Sequence, residues 1–223
     1  MNMPSSSPAY NSRVHRRNLL LGPLSLVLLS ACGAKKPQNQ PVPSGANVLA
    51  LGDSLTAGLG TSPENAYPAL LAQRTGWQVA NAGISGNTSA QALARLSDLL
   101  ETHRPALVIV GIGGNDFLQR LPEKGTRANM EAICKQCLQA GAQVLLVAMP
   151  EVSLIGASTG KLSDHKMYAE LAESLRVPLQ SKGWSSVLAD SRLRSDAVHA
   201  NTAGYRRFTD LLEQSLRESG LQR

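Results

Sequence analysis

From residue 46 onward the chain alternates two patterns. Short, almost wholly apolar runs stand between longer stretches whose apolar residues recur three and four apart. The runs are Asn47–Leu51, Trp77–Ala80, Ala106–Ile112, Val144–Ala148 and Ser186–Ala189. Runs of this length without polar alternation suit strands covered on both faces, as in the middle of a parallel sheet. Ala66–Thr75 reads as a helix closed by Gly76. Thr88 with Gln91 three residues on is a capping-box signature, with Leu93, Leu96, Leu99 and Leu100 as the apolar stripe behind it. Residues 123–140 form a helix ended by Gly141, and 164–176 a helix that stops before Pro178. Asn201 caps a last helix with Phe208, Leu211, Leu212 and Leu216 on one face, while 150–163 reads as an irregular loop. Five alternations of strand and helix predict one α/β domain, a three-layer α/β/α sandwich around a five-stranded parallel sheet. Right-handed crossovers then bring the loops after the strands to one edge, where sites form.

The first 45 residues follow a different pattern. A polar stretch with Arg13, His15, Arg16 and Arg17 precedes the apolar run Leu19–Leu29, which is short for a transmembrane span and has the layout of an export signal. The run ends in Leu29-Ser30-Ala31-Cys32-Gly33, which resembles the bacterial lipobox. That resemblance implies a signal peptide over 1–31 and a lipidated Cys32 as the mature N-terminus, anchored in a membrane by its acyl chains. Arg16-Arg17 also resembles a twin-arginine export signal, and since arginine pairs are common in such regions the route stays open. Residues 32–45, rich in Pro, Gln and Lys, read as a flexible tether to a domain over 46–223. Gly33 is not the Asp that resembles an inner-membrane retention signal, so the expected location is the outer membrane, facing the periplasm.

This division changes the meaning of the charge. The 223 residues carry 22 Lys and Arg against 16 Asp and Glu, a formal +6. Five of the basic residues (Arg13, Arg16, Arg17, Lys35 and Lys36) lie in the first 45, which hold no acid, so the domain keeps only +1. With aromatics at 4%, neither a basic surface nor a stacking platform points to nucleic acid.

Four segments at the predicted strand ends, or just before the last helix, could carry chemistry. Gly52-Asp53-Ser54-Leu55 sets a hydroxyl at a strand-to-helix turn, though a helix-capping Ser is the plainer reading. In Asn81-Ala82-Gly83-Ile84-Ser85-Gly86, the Gly83 N–H could point at an oxyanion. Gly113-Gly114-Asn115-Asp116 can offer the Asn115 amide, and its spacing is not a dinucleotide fingerprint. In Asp196-Ala197-Val198-His199 the carboxylate can reach Nδ1 of the ring and leave Nε2 to accept a proton. Asp53 and Asp116 read as loop supports, and His103 and His165 as surface residues.

In this order, the four segments resemble the blocks of the SGNH hydrolases, also called GDSL lipases and esterases, over Val48 to about Leu216. The stretches Gly52–Gly60, Asn81–Leu96 and Gly113–Asp116 look most like the bacterial acyl-CoA thioesterase I and lysophospholipase branch. The resemblance implies a Ser54–His199–Asp196 triad and an oxyanion hole from Ser54, Gly83 and Asn115. It also implies no cofactor, no metal, a monomer, and a small-molecule or lipid ester as substrate. Esters or thioesters of acyl chains are the expected substrates. An O-acetylesterase acting on envelope polysaccharide or peptidoglycan, or an inactive envelope-binding lipoprotein, are the alternatives. The family usually has Pro after the His; here Ala200 leaves that loop without the ring's constraint. Cys134 and Cys137 form a C-x-x-C inside a predicted helix; with no partner pair for zinc they read as partly buried helix cysteines, open to oxidation in the periplasm.

Overall fold

The computed structural model describes residues 39–151 and 162–223. The expected signal peptide, Cys32 and the first part of the tether lie outside the described residues, as do 152–161 of the expected loop.

Five parallel strands form the sheet: β1 (Asn47–Gly52), β2 (Gln78–Gly83), β3 (Leu107–Gly111), β4 (Gln143–Val147) and β5 (Leu179–Gln180), in the order β2-β1-β3-β4-β5. Val48–Leu51 and Leu107–Val110 have no solvent exposure, which explains their unbroken apolar character. The helices, in chain order, are α1 (Ser54–Ala57), α2 (Tyr67–Thr75), α3 (Ser89–Ala94), α4 (Leu96–His103), α5 (Gly114–Leu118), α6 (Glu123–Gln139), α7 (Met167–Leu175), α8 (Gly183–Ala189) and α9 (Thr202–Glu218). Helices α2, α8 and α9 pack together, and α3, α4, α6 and α7 form a second packed group. Trp184 of α8 lies flat on Phe208 of α9, with centroids 3.6 Å apart, and Tyr67 of α2 meets both edge-on.

The fifth strand is not where the apolar run at Ser186–Ala189 suggested. That run belongs to α8, where Trp184, Val187 and Leu188 occupy i, i+3 and i+4 and bury one face. The strand itself is two residues long, with Leu179 opposite Leu146 and Gln180 opposite Val147. The helix behind Thr88 is really two: the capping box forms as expected, but the helical run breaks at Arg95 (φ −103°, ψ 0°).

The tether is also shorter than expected. Val42 is buried, its N–H donates to Leu221 C=O (2.8 Å), and its C=O accepts from Trp77 Nε1 (3.2 Å). Gln40 and Gln143 exchange two bonds (2.7 and 2.8 Å), and Asn39 Nδ2 donates to Ser219 C=O. The chain is therefore held from Asn39 on. It joins at the starts of β2 and β4, opposite the strand ends that carry Ser54. Cys134 and Cys137 are free thiols, fully rather than partly buried, and burial pushes both up to about 12.

Candidate active site

The site begins with close backbone approach at the strand ends. Gly52, Gly83 and Gly111 stand side by side as the last residues of β1, β2 and β3. A Cβ on Gly52 would lie 2.0 Å from Thr56 Oγ1, and one on Gly83 2.1 Å from the Ala57 nitrogen. Without those atoms α1 folds back against the sheet edge. Asp53 caps α1 by accepting from Leu55 N–H (3.1 Å), which makes Ser54 the first helical residue. A first-turn N–H has no partner within its own helix, and no group among the described residues accepts from Ser54 N–H.

The loop before α9 brings up the rest. His199 Nε2 lies 3.0 Å from Ser54 Oγ, and His199 Nδ1 2.7 Å from Asp196 Oδ2. The other carboxylate oxygen accepts the backbone N–H groups of Val198 (2.8 Å) and His199 (2.9 Å). The loop has no proline but is well tied. Ala200 is buried and bridges Arg194, Ser195 N–H donates to His199 C=O, and Asn201 Nδ2 donates to the carbonyls of Arg192 and Arg194.

The two carboxylates differ in environment. The Asp196 side chain is 54% exposed. Such burial as it has works to raise its pKa. The Val198 N–H, the His199 ring and N–H, and the His199 charge outweigh that and hold it below the usual carboxylate range. Asp53 is 3% exposed. Burial pushes it up to about 6, against the opposing pull of the Leu55 N–H and the His199 charge.

Asn115, on α5, donates through Nδ2 to Asn87 C=O (3.0 Å) and, by a longer bond, to Asp53 Oδ2 (3.5 Å). Asp116 anchors this helix. Its buried carboxylate accepts from Ser89 N–H (2.8 Å), Ser89 Oγ (2.5 Å) and Thr126 Oγ1 (3.2 Å), so both Asp53 and Asp116 support loops through hydrogen bonds.

Gly83 does not reach the site. It closes β2, and its N–H donates to Asn81 Oδ1 at 3.0 Å. Gly86, in the turn that follows, lines the cleft instead with φ +83°, and no group among the described residues takes its N–H. The sequence carried a hint of this, since Ser85-Gly86 sits just ahead of the capping box, where a tight turn is needed. His165 is half-buried rather than on the surface, and stacks on Phe117 (4.2 Å, 7°). His103 is also half-buried. Among the described residues, no group of three or more His, Cys, Asp or Glu is placed to hold a metal.

A cleft of about 330 Å³ opens over Ser54 and His199. Leu55, Leu59, Leu118, Met149, Leu188 and Val198 make its walls largely apolar. The arrangement can deliver a hydroxyl, accept its proton and offer two N–H groups and an amide to developing negative charge.

The family model of GDSL-like lipases and acylhydrolases matches residues 50–207. Thioesterase 1/protease 1/lysophospholipase L1 of Escherichia coli is 36% identical over 159 residues, 69% of this chain and 75% of that protein. Esterase TesA of Pseudomonas aeruginosa is 37% identical over 139 residues, 60% of this chain and 64% of that protein. The crystal structure of esterase EstA from Pseudoalteromonas, inhibited by monoethylphosphonate, superposes with a TM-score of 0.68 at 28% identity, covering 78% of this chain and 97% of that one.

The Asp53 environment makes stability depend on pH. Its folded pKa of about 6 stands above the ordinary 3.8, so the native state holds the extra proton between those values and this contribution falls as pH rises through that window. The loss above pH 6 is on the order of 2–3 kcal/mol. Urea unfolding of wild type and Asp53→Asn from pH 4 to 7.5 checks this: the variant should lack that decline, and equal slopes would contradict it.

Proposed function

The chain belongs to the GDSL-like lipase/acylhydrolase family and is an ester hydrolase, and we propose that it cleaves esters and thioesters of acyl chains through an acyl-enzyme on Ser54. His199 takes the Ser54 proton at Nε2 as the oxygen attacks the acyl carbonyl. Asp196 fixes the ring by its Nδ1 proton and stabilises the imidazolium; its depressed pKa keeps it ionised for that task. The oxyanion is held by the Ser54 and Gly86 N–H groups and by the Asn115 amide, whose second proton exchanges its long bond to Asp53 Oδ2 (3.5 Å) for the oxyanion. His199 then protonates the departing alcohol or thiol, and water, activated by the same ring, releases the acid. Every group comes from one chain, which suits a monomer, and no cofactor is needed.

The observation that carries the substrate reading is the apolar cleft beside the Ser54–His199 pair, more wall than an acetyl group requires. The thioesterase and lysophospholipase names of the Escherichia coli relative point the same way. Export and anchoring belong to the same proposal. Cys32 carries the lipid and holds the enzyme at the envelope, the outer membrane being the expected site. Residues 40 and 42 are held at the strand ends opposite the cleft, on the side where the tether would enter the domain.

Two measurements test this. Ser54→Ala should lower turnover of p-nitrophenyl esters by at least about 10³-fold with an unchanged melting temperature. Across acetyl to palmitoyl esters the wild type should prefer chains longer than acetyl; acetyl-only turnover would overturn the acyl-chain reading in favour of an O-acetylesterase. For the anchor, labelled palmitate should enter the wild-type protein in a bacterial host and not Cys32→Ser; equal labelling would overturn it.

A further inference from the structure

Arg95 stands at the break between α3 and α4 and turns its side chain inward, toward the site loops. Its Nε donates to Asn87 Oδ1 and its Nη2 to Gly52 C=O, both at 3.1 Å. No carboxylate lies within 4.0 Å of this guanidinium among the described residues, and burial lowers its pKa. A part-buried cation without a counter-ion costs free energy, so its placement needs a reason.

Its two acceptors supply one. Gly52 lies two residues before Ser54, and its C=O also accepts from Ile84 N–H (3.2 Å). Asn87 closes the turn around Gly86 through its N–H to Ile84 C=O (3.1 Å), and its C=O holds Asn115 Nδ2 (3.0 Å). One guanidinium thus bonds the end of the strand that presents Ser54 and the residue that fixes the other two oxyanion donors.

We propose that Arg95 is a positioning residue for the oxyanion pocket, setting the Gly86 N–H and the Asn115 amide at their distance from Ser54 without touching substrate. The inference rests on the oxyanion role given to Asn115 above. The fork geometry matters as well as the charge: lysine offers a single point donor and cannot span both acceptors in one plane. Displacing donors by a fraction of an ångström weakens them in the transition state far more than in the ground state, so kcat should suffer and KM should not.

The experiment compares wild type, Arg95→Met, Arg95→Lys, Asn115→Ala and the Arg95→Met/Asn115→Ala pair in the full-length chain. Steady-state kinetics are run on one p-nitrophenyl ester, with melting temperatures alongside. Arg95→Met should lose about tenfold or more in kcat, with KM within about twofold and the acid limb of the pH profile unmoved. Arg95→Lys should lose nearly as much and keep a melting temperature near wild type, so it carries the test if the Met variant does not fold. Asn115→Ala should cost about 10²–10³-fold in wild type and markedly less on top of Arg95→Met. Unchanged kcat in Arg95→Lys, a loss confined to KM, or fully multiplicative effects with Asn115→Ala would overturn the role of Arg95. An inert Asn115→Ala in the wild-type background would instead remove the oxyanion reading on which it rests.

Discussion

The site depends on backbone packing at three adjacent strand ends. Gly52, Gly83 and Gly111 lie in register across β2, β1 and β3, and the first two leave no room for a Cβ against the turn that follows β1. This lets the chain reverse within two residues and start α1 at Ser54, whose N–H has no acceptor among the described residues. A parallel sheet puts the ends of its strands on one edge, so the Gly86 turn and α5 arrive beside that serine as a consequence of topology. Only the His199 loop comes from far along the chain, and its internal hydrogen bonds stand in for the constraint that a proline would have given.

Electrostatics then divides the labour between two aspartates. Asp196, in contact with solvent and with three N–H donors, stays ionised and serves His199. Asp53, buried one residue before Ser54, is held nearer neutrality and serves the backbone of α1. Arg95 adds a third element, a cation braced on neutral oxygens. All three place charge or hydrogen bonds behind the reacting atoms, where rigid dipoles are worth more than mobile water.

Much of this was legible in the sequence, for physical reasons. β1, β3 and β4 are buried on both faces, and such strands must be apolar throughout. The Thr88 box and the Asn201 cap form because their side chains answer unpaired N–H groups. The chain order of Ser54, Asn115, Asp196 and His199 pointed to one edge, and the structure brings these residues together there. Other features are hidden in the sequence for equally physical reasons. A two-residue strand has no periodicity to detect, and the apolar stripe of α8 a few residues on has the look of one. The stripe Leu93, Leu96, Leu99 and Leu100 continues across Arg95, so the break could not be seen in it. Gly83 and Gly86 are equivalent by composition; the capping box after Gly86 hints at a turn there, and the strand register shows that the first ends β2 and the second turns into the cleft. Residues 39–45 look like tether by composition, yet Val42 and Gln40 find partners that are distant in sequence.

The central claim is that the Ser54–His199 pair makes Ser54 a nucleophile within this cleft. The most direct measurement is labelling of the folded, full-length protein with a fluorophosphonate probe, followed by intact-mass analysis and peptide mapping. The account predicts one equivalent of adduct, on Ser54. No adduct on folded protein, or an adduct on any other residue, would contradict it.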